Sequence, residues 1–135
     1  MVPKDVTSVS SAPSRDFAQQ STTVKVLGAL VAPAVLGVVS GLLLGASAPA
    51  YWVLQVIATI GGFLGGTEHV GWRPGLVRGV IGGALYGSAM LVVRAITGWS
   101  DEIDLGSTPA FLVVITSVVG LLVGAAGGAV RARRH

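Results

Sequence analysis

The chain has 135 residues, which sets a prior of about one domain. With 52% hydrophobic residues, 11% charged residues and a mean hydropathy of +0.78, it has too few ionic groups to coat a water-soluble particle of its size, and a soluble globule is excluded. Cysteine is absent, which excludes disulfides, thiolate metal sites and a cysteine nucleophile, and the net charge of +3 comes from Lys and Arg flanking apolar spans, not from a basic face with interleaved aromatics, which argues against nucleic acid as a partner.

From Met1 to Thr23 the chain is Ser, Thr, Pro, Gln and scattered charge without a period of 2 or 3.6, and reads as a disordered cytoplasmic tail over 1–23. Between Val26 and Thr67 there is no charged residue. One helix of that length would be about twice what a ~30 Å hydrocarbon core needs, so the run folds back on itself. The break falls at Ser47-Ala-Pro-Ala50, beside Tyr51-Trp52, a turn signal next to an interfacial aromatic pair. The spacing predicts a first span over 26–46 and a second over 50–66. Ala46-Ser-Ala48 has the small residues of a signal-peptide cut, but the apolar run exceeds the about 7 to 15 residues of an h-region and Pro49 would follow the cut, so the span is expected to be retained.

Thr67-Glu68-His69 and Trp72-Arg73-Pro74-Gly75 separate the second span from a third over 76–97, and a loop with Asp101, Glu102 and Asp104 leads to a fourth over 110–130. A basic cytoplasmic tail, 131–135, follows. The expected fold is therefore an all-α integral membrane protein, with a transmembrane domain over 24–130 built as two helical hairpins. Four spans put Lys4, Arg15, Lys25, Arg73, Arg78, Arg131, Arg133 and Arg134 on one side and only Arg94 on the other. By the positive-inside rule both termini are expected in the cytoplasm of a multi-pass cell-membrane protein.

Every span carries small residues four apart, the spacing that lines one helix face and lets backbones approach in lipid as a glycine zipper. These are Gly37, Gly41 and Gly45; Gly61 with Gly65, and Gly62 with Gly66; Gly75, Gly79, Gly83 and Gly87; and Gly120, Gly124 and Gly128. The ridges either pack tightly within one four-helix monomer or leave one over for self-association; four short helices offer little interior, so self-association is the expectation. Their distribution predicts a bundle pinched toward the cytoplasm and splayed outward. Ser47-Ala-Pro-Ala-Tyr51 and Ser107-Thr-Pro-Ala-Phe111, each followed by a Gly pair, suggest a duplicated hairpin, although Ser-x-Pro-Ala also simply starts helices well.

In the outward half, Ser40, Gln55, Ser88, Thr116 and Ser117 form a candidate polar cavity with Arg94 at its mouth. The Ser and Thr hydroxyls can bond their own helix, but the Gln55 amide needs partners in lipid. Arg78 and Arg94, near opposite ends of the third span, are expected to snorkel outward. Glu68, His69, Arg73 and Arg78 form a candidate cytoplasmic charge cluster, read as a loop salt bridge or, less simply, a proton relay. No Ser-His-Asp set, HExxH motif or phosphate loop is present, so no catalytic, metal or cofactor residue is assigned.

From Gly61 to Gly128 the chain resembles the small bacterial transglycosylase-associated (GlsB-type) membrane proteins, on Gly62-Phe-Leu-Gly-Gly66, Gly79-Val-Ile-Gly-Gly83 and Val118-Val-Gly-Leu-Leu-Val-Gly124. The resemblance implies a small stress-associated protein of the bacterial envelope, without an established catalytic residue. The residues themselves favour a homo-oligomeric inner-membrane protein that passes a small ion or solute. A non-transporting envelope or accessory protein is the alternative, and an enzyme acting on a lipid-soluble substrate comes third.

Overall fold

The structure, a computed structural model, describes residues 22–98 and 110–134. It has four helices: α1 Thr22–Ala46, α2 Ala48–Thr67, α3 Trp72–Thr97 and α4 Ala110–Ala132. All four are long and apolar enough to cross a membrane; even the 20 residues of α2 span about 30 Å. Their outward faces carry exposed Val53, Val56, Ile60, Ile81, Val118 and Leu122, a surface that water would penalise and lipid solvates.

The ends differ from the apolar pattern by about one turn. Thr22 and Thr23 belong to α1, and Arg131 and Ala132 to α4, because helical hydrogen bonding continues past the last apolar residue into polar surroundings. A single residue, Ser47, separates α1 from α2. Its hydroxyl accepts from the Ala50 N–H at 3.5 Å, with Pro49 in the first turn where no N–H is needed. Pro74 likewise lies in the first turn of α3, which lets that helix start at Trp72, four residues before the predicted 76. Gly71 before α3 has φ 109° and Gly98 after it φ 60°, conformations that a side chain would strain.

The packing register follows from what a Cβ would meet at each glycine. Along the α3–α4 seam, a Cβ on Gly75, Gly79 or Gly83 would overlap the carbonyl of Gly124, Gly120 or Thr116 respectively, so the two helices run antiparallel in direct backbone contact. Gly37 and Gly41 meet Tyr86 and Met90 of α3, so α1 and α3 are parallel. Gly62 faces Val123, and Gly66 and Gly127 bring α2 and α4 together near Gly124, Phe63 and Thr67, again in parallel. The Gly71 N–H closes this end by donating to the Gly128 carbonyl at 3.2 Å.

Helices α1 and α4 are therefore held on either side of α3 and do not touch each other. Helix α2 leaves α1 at the Ser47 turn and reaches α4 at its far end, crossing over α3 obliquely. The predicted outward splay is not what forms. At the Ser47 end Leu44, Tyr51, Tyr86, Met90 and Leu112 make the buried core, because the large side chains of α2 and α3 lie there. The ridge Gly61/Gly65 is not a packing face either: Gly61 meets nothing within 4 Å and Gly65 only the Arg78 side chain, since Gly62 and Gly66 are the residues turned to α4.

A substitution pair separates packing glycines from free ones. Gly83→Ala forces its methyl into the Thr116 carbonyl and should lower thermal stability in detergent by about 1–3 kcal/mol. Gly28→Ala, with nothing within 4 Å, should be neutral or stabilising by up to about 1 kcal/mol. Equal effects at both positions would contradict this packing.

Candidate functional site

Under the oblique α2 lies a cavity of about 460 Å³ with walls from all four helices. Pro33 and Leu36 of α1 and Ile115 and Val119 of α4 form its sides. Three glycines from each of α2 and α3 line it, Gly61, Gly62 and Gly65 and Gly79, Gly82 and Gly83, with larger side chains toward its two ends. The glycines that let α3 approach its neighbours also leave this space unfilled. The cavity is partly open, and two of its α2 lining residues, Trp52 and Gly61, are exposed.

The Ser47 end of the cavity is closed by a hydrogen-bond chain. The Tyr86 hydroxyl donates to Gln55 Oε1 at 2.6 Å, and Gln55 Nε2 donates to the Tyr51 hydroxyl at 2.5 Å. Since the single Tyr86 proton is thus committed, the Ser40 hydroxyl, wholly buried, is the donor in its 2.5 Å bond to Tyr86 Oη. Tyr51, Gln55 and Tyr86 all face the cavity. The Gln55–Tyr51 bond lies within α2, the bond to Tyr86 crosses to α3, and the Thr59 hydroxyl donates to the Gln55 backbone carbonyl at 2.8 Å.

At the opposite end stands Arg78. Six residues into α3, it is about 9 Å along the helix from Trp72. Its side chain does not snorkel outward; it turns into the cavity and donates from Nη1 to the Ala29 carbonyl of α1 at 2.8 Å. That carbonyl is available because the residue four positions on is Pro33, which has no N–H to give it. In an apolar medium an unpaired carbonyl and an unpaired guanidinium are both costly, and here each relieves the other. Arg78 Nε remains buried without a partner, and among the described residues no carboxylate pairs with the charge; the only described one, Glu68, is exposed on the α2–α3 loop.

The predicted polar set is thus divided. Gln55 and Thr116 line the cavity, although the Thr116 hydroxyl bonds back to the Leu112 carbonyl at 3.0 Å. Ser40 lies behind the wall on Tyr86. Ser117 bonds the Val113 carbonyl at 2.6 Å, Ser88 is exposed, and neither Ser residue nor Arg94 lines the cavity. The predicted charge cluster does not assemble either. Arg73 stacks over the Trp72 ring, 5.3 Å from its centroid, while Arg78 faces α1. His69 is half-buried with Nδ1 unpartnered. Asp101, Glu102, Asp104 and Ser107 lie outside the described residues.

Tyr51, Tyr86 and the inward role of Arg78 escaped the sequence reading. The i+4 spacing of Tyr51 and Gln55, and the 49-residue offset that sets Ala29 beside Arg78 and Pro33 beside Gly82, are signals only once the helix register is known. No family model, curated protein or solved structure matches the chain.

Two stability measurements check this geometry. Tyr86→Phe removes both bonds that hold Ser40 and the Gln55 carbonyl, and should cost about 1–2 kcal/mol. A double-mutant cycle of Arg78→Leu with Pro33→Ala should show coupling of about 1 kcal/mol or more, since replacing the proline restores the backbone N–H that the Ala29 carbonyl lacks. Strict additivity would refute the exchange of partners.

Proposed function

We propose that this chain is a small membrane carrier that takes a solute or ion into the inter-helix cavity and passes it across the bilayer. The observation that carries the reading is the cavity itself, an unfilled space between four apolar helices with a guanidinium at one end and a phenol–amide–phenol chain at the other. Bundles that only need to hold together fill such a space with side chains. The core of Leu44, Tyr51, Tyr86, Met90 and Leu112 blocks the Ser47 end, so passage requires those side chains to rearrange, which favours a carrier over an open channel.

In this proposal the glycine contacts of α3 and α4 act as a zipper that keeps that hairpin rigid while α2 moves against it. The α1–α2 hairpin is the smaller moving unit, joined at Ser47. A cytoplasmic position of both termini belongs to the proposal and is supported by the positive-inside distribution of Lys and Arg. Self-association belongs to the same proposal and is supported by Gly28, an exposed α1 residue where, among the described residues, nothing lies within 4 Å of an added Cβ.

The test is flux in proteoliposomes under gradients of potassium, chloride, acetate and octyl sulfate, a panel of a cation, an inorganic anion, a small carboxylate and an apolar-bodied anion. The parent protein should transport at least one of them. Gln55→Leu should leave the helices folded and lower that flux about fivefold, the rate equivalent of one lost ~1 kcal/mol hydrogen bond. No flux of any of the four would remove the carrier reading and favour a non-transporting accessory protein.

A further inference from the structure

We infer that the cavity binds a single-chain amphiphile with an anionic head, carboxylate or phosphate, held on Arg78. This names the substrate class of the carrier proposed above and rests on that reading for its biological meaning, though binding itself can be measured without transport.

Three observations on different parts of the cavity converge on this class. The first is charge. Arg78 spends one of its five donors on the Ala29 carbonyl, keeps Nε buried without a partner, and has no carboxylate beside it among the described residues. A partly desolvated cation in an apolar bundle calls for a counter-charge, and the planar fork of a guanidinium fits a carboxylate or phosphate. The Pro33-freed carbonyl fixes where that fork stands: it anchors Nη1 and leaves the rest of the guanidinium to a ligand.

The second is shape. From Arg78 to Tyr86 is eight residues of α3, about 12 Å, and between them α3 lines the cavity with glycine alone, while α2 adds Ala58 and Thr59 to its glycines. The result is a smooth slot, with Ile115, Val119 and Val123 along one side. A compact, strongly hydrated ion would find few partners between the two polar ends, whereas an extended hydrocarbon chain meets a mostly apolar wall there. At about 460 Å³ the cavity sits low in the usual ligand-site range of about 300–1,000 Å³, so it suits one chain and not two.

The third is access. The cavity is partly open, and Gly61 on its wall is exposed, with nothing within 4 Å of an added Cβ. Arg78 lies about 9 Å along α3 from its start, nearer that end of the helix than its middle. An amphiphile can therefore enter sideways from one leaflet without turning over, its head reaching Arg78 and its tail running toward Tyr86 and Trp52.

The experiment uses the full chain in phosphatidylcholine nanodiscs, in a Trp72→Phe/Trp99→Phe background that leaves Trp52, a cavity-lining residue, as the only tryptophan. Laurate brominated at its tail end should quench Trp52 saturably. Unlabelled laurate and dodecyl phosphate should compete, while dodecanol, dodecyltrimethylammonium, acetate and inorganic phosphate should not at equal concentration. Removal of the charge should weaken binding roughly tenfold or more. Because Arg78→Gln alone also strands the Ala29 carbonyl, the decisive comparison is Pro33→Ala against Pro33→Ala/Arg78→Gln, in which that carbonyl is satisfied in both.

Equal affinity in those two variants, or equal competition by dodecanol, overturns the anionic-head assignment. Competition by acetate or inorganic phosphate as strong as that by laurate overturns the amphiphile in favour of a free anion, and quenching that never saturates overturns a site of any kind. Saturable, charge-dependent binding in a protein that moves none of the four flux probes would sustain this inference and sink the carrier; flux without such binding would do the reverse.

Discussion

Because α3 meets the backbones of α1 and α4 through glycine on its own side or theirs, those helices sit close against its two flanks. Neither reaches the other, and α2 must cover the groove alone. The same residues that permit the close approach, Gly79 and Gly83, contribute nothing to fill the space beneath α2, and Gly61, Gly62 and Gly65 repeat the omission from above. Dispersion along the seams offsets the missing bulk, since in lipid there is no hydrophobic gain from bringing apolar side chains together. The cavity is thus a consequence of how the bundle is held, and the core is left to the large side chains near Ser47.

Polar groups inside such a bundle have to find partners there, and the two ends of the cavity solve this differently. Near Ser47 the solution is closed: Ser40, Tyr86, Gln55 and Tyr51 satisfy one another across three helices, which ties α2 to α1 and α3 at one level. At Arg78 it is open. Pro33 removes an N–H from α1, Arg78 takes the freed carbonyl, and most of the guanidinium is left unspent. A neutral, saturated network at one end and an unsaturated charge at the other give the cavity a direction.

Helix number was legible because each span is a run of apolar residues bounded by charge or by Pro and Gly, and a bilayer makes length a direct constraint. The ridges Gly75, Gly79 and Gly83 and Gly120 and Gly124 stand out in the sequence by their spacing of four, but that spacing does not say which ridge meets which. Where two ridges lay one residue apart on α2, spacing alone could not decide between Gly61/Gly65 and Gly62/Gly66; the choice depends on how α2 is rotated, which partner helices set. Gln55 stood out as a residue that lipid would not leave alone, and it does line the cavity. Arg78 looked like an interfacial cation because its neighbours in sequence are loop residues. Its inward turn depends on Pro33, far earlier in the chain, and that pairing exists only in the folded register of α1 on α3.

The claim on which all of this stands is that α2 has one face toward an open polar-ended cavity and the rest toward lipid. The natural absence of cysteine allows single thiols to report on it directly. Ala58→Cys and Gly62→Cys lie on the cavity wall, while Ile57→Cys and Ile60→Cys point outward at neighbouring depths. Thiol reaction requires ionisation and hence water, so a membrane-impermeant charged reagent should modify the first pair at least about tenfold faster than the second. Equal, negligible reaction at all four positions would mean that the cavity is closed and dry, and would contradict the account.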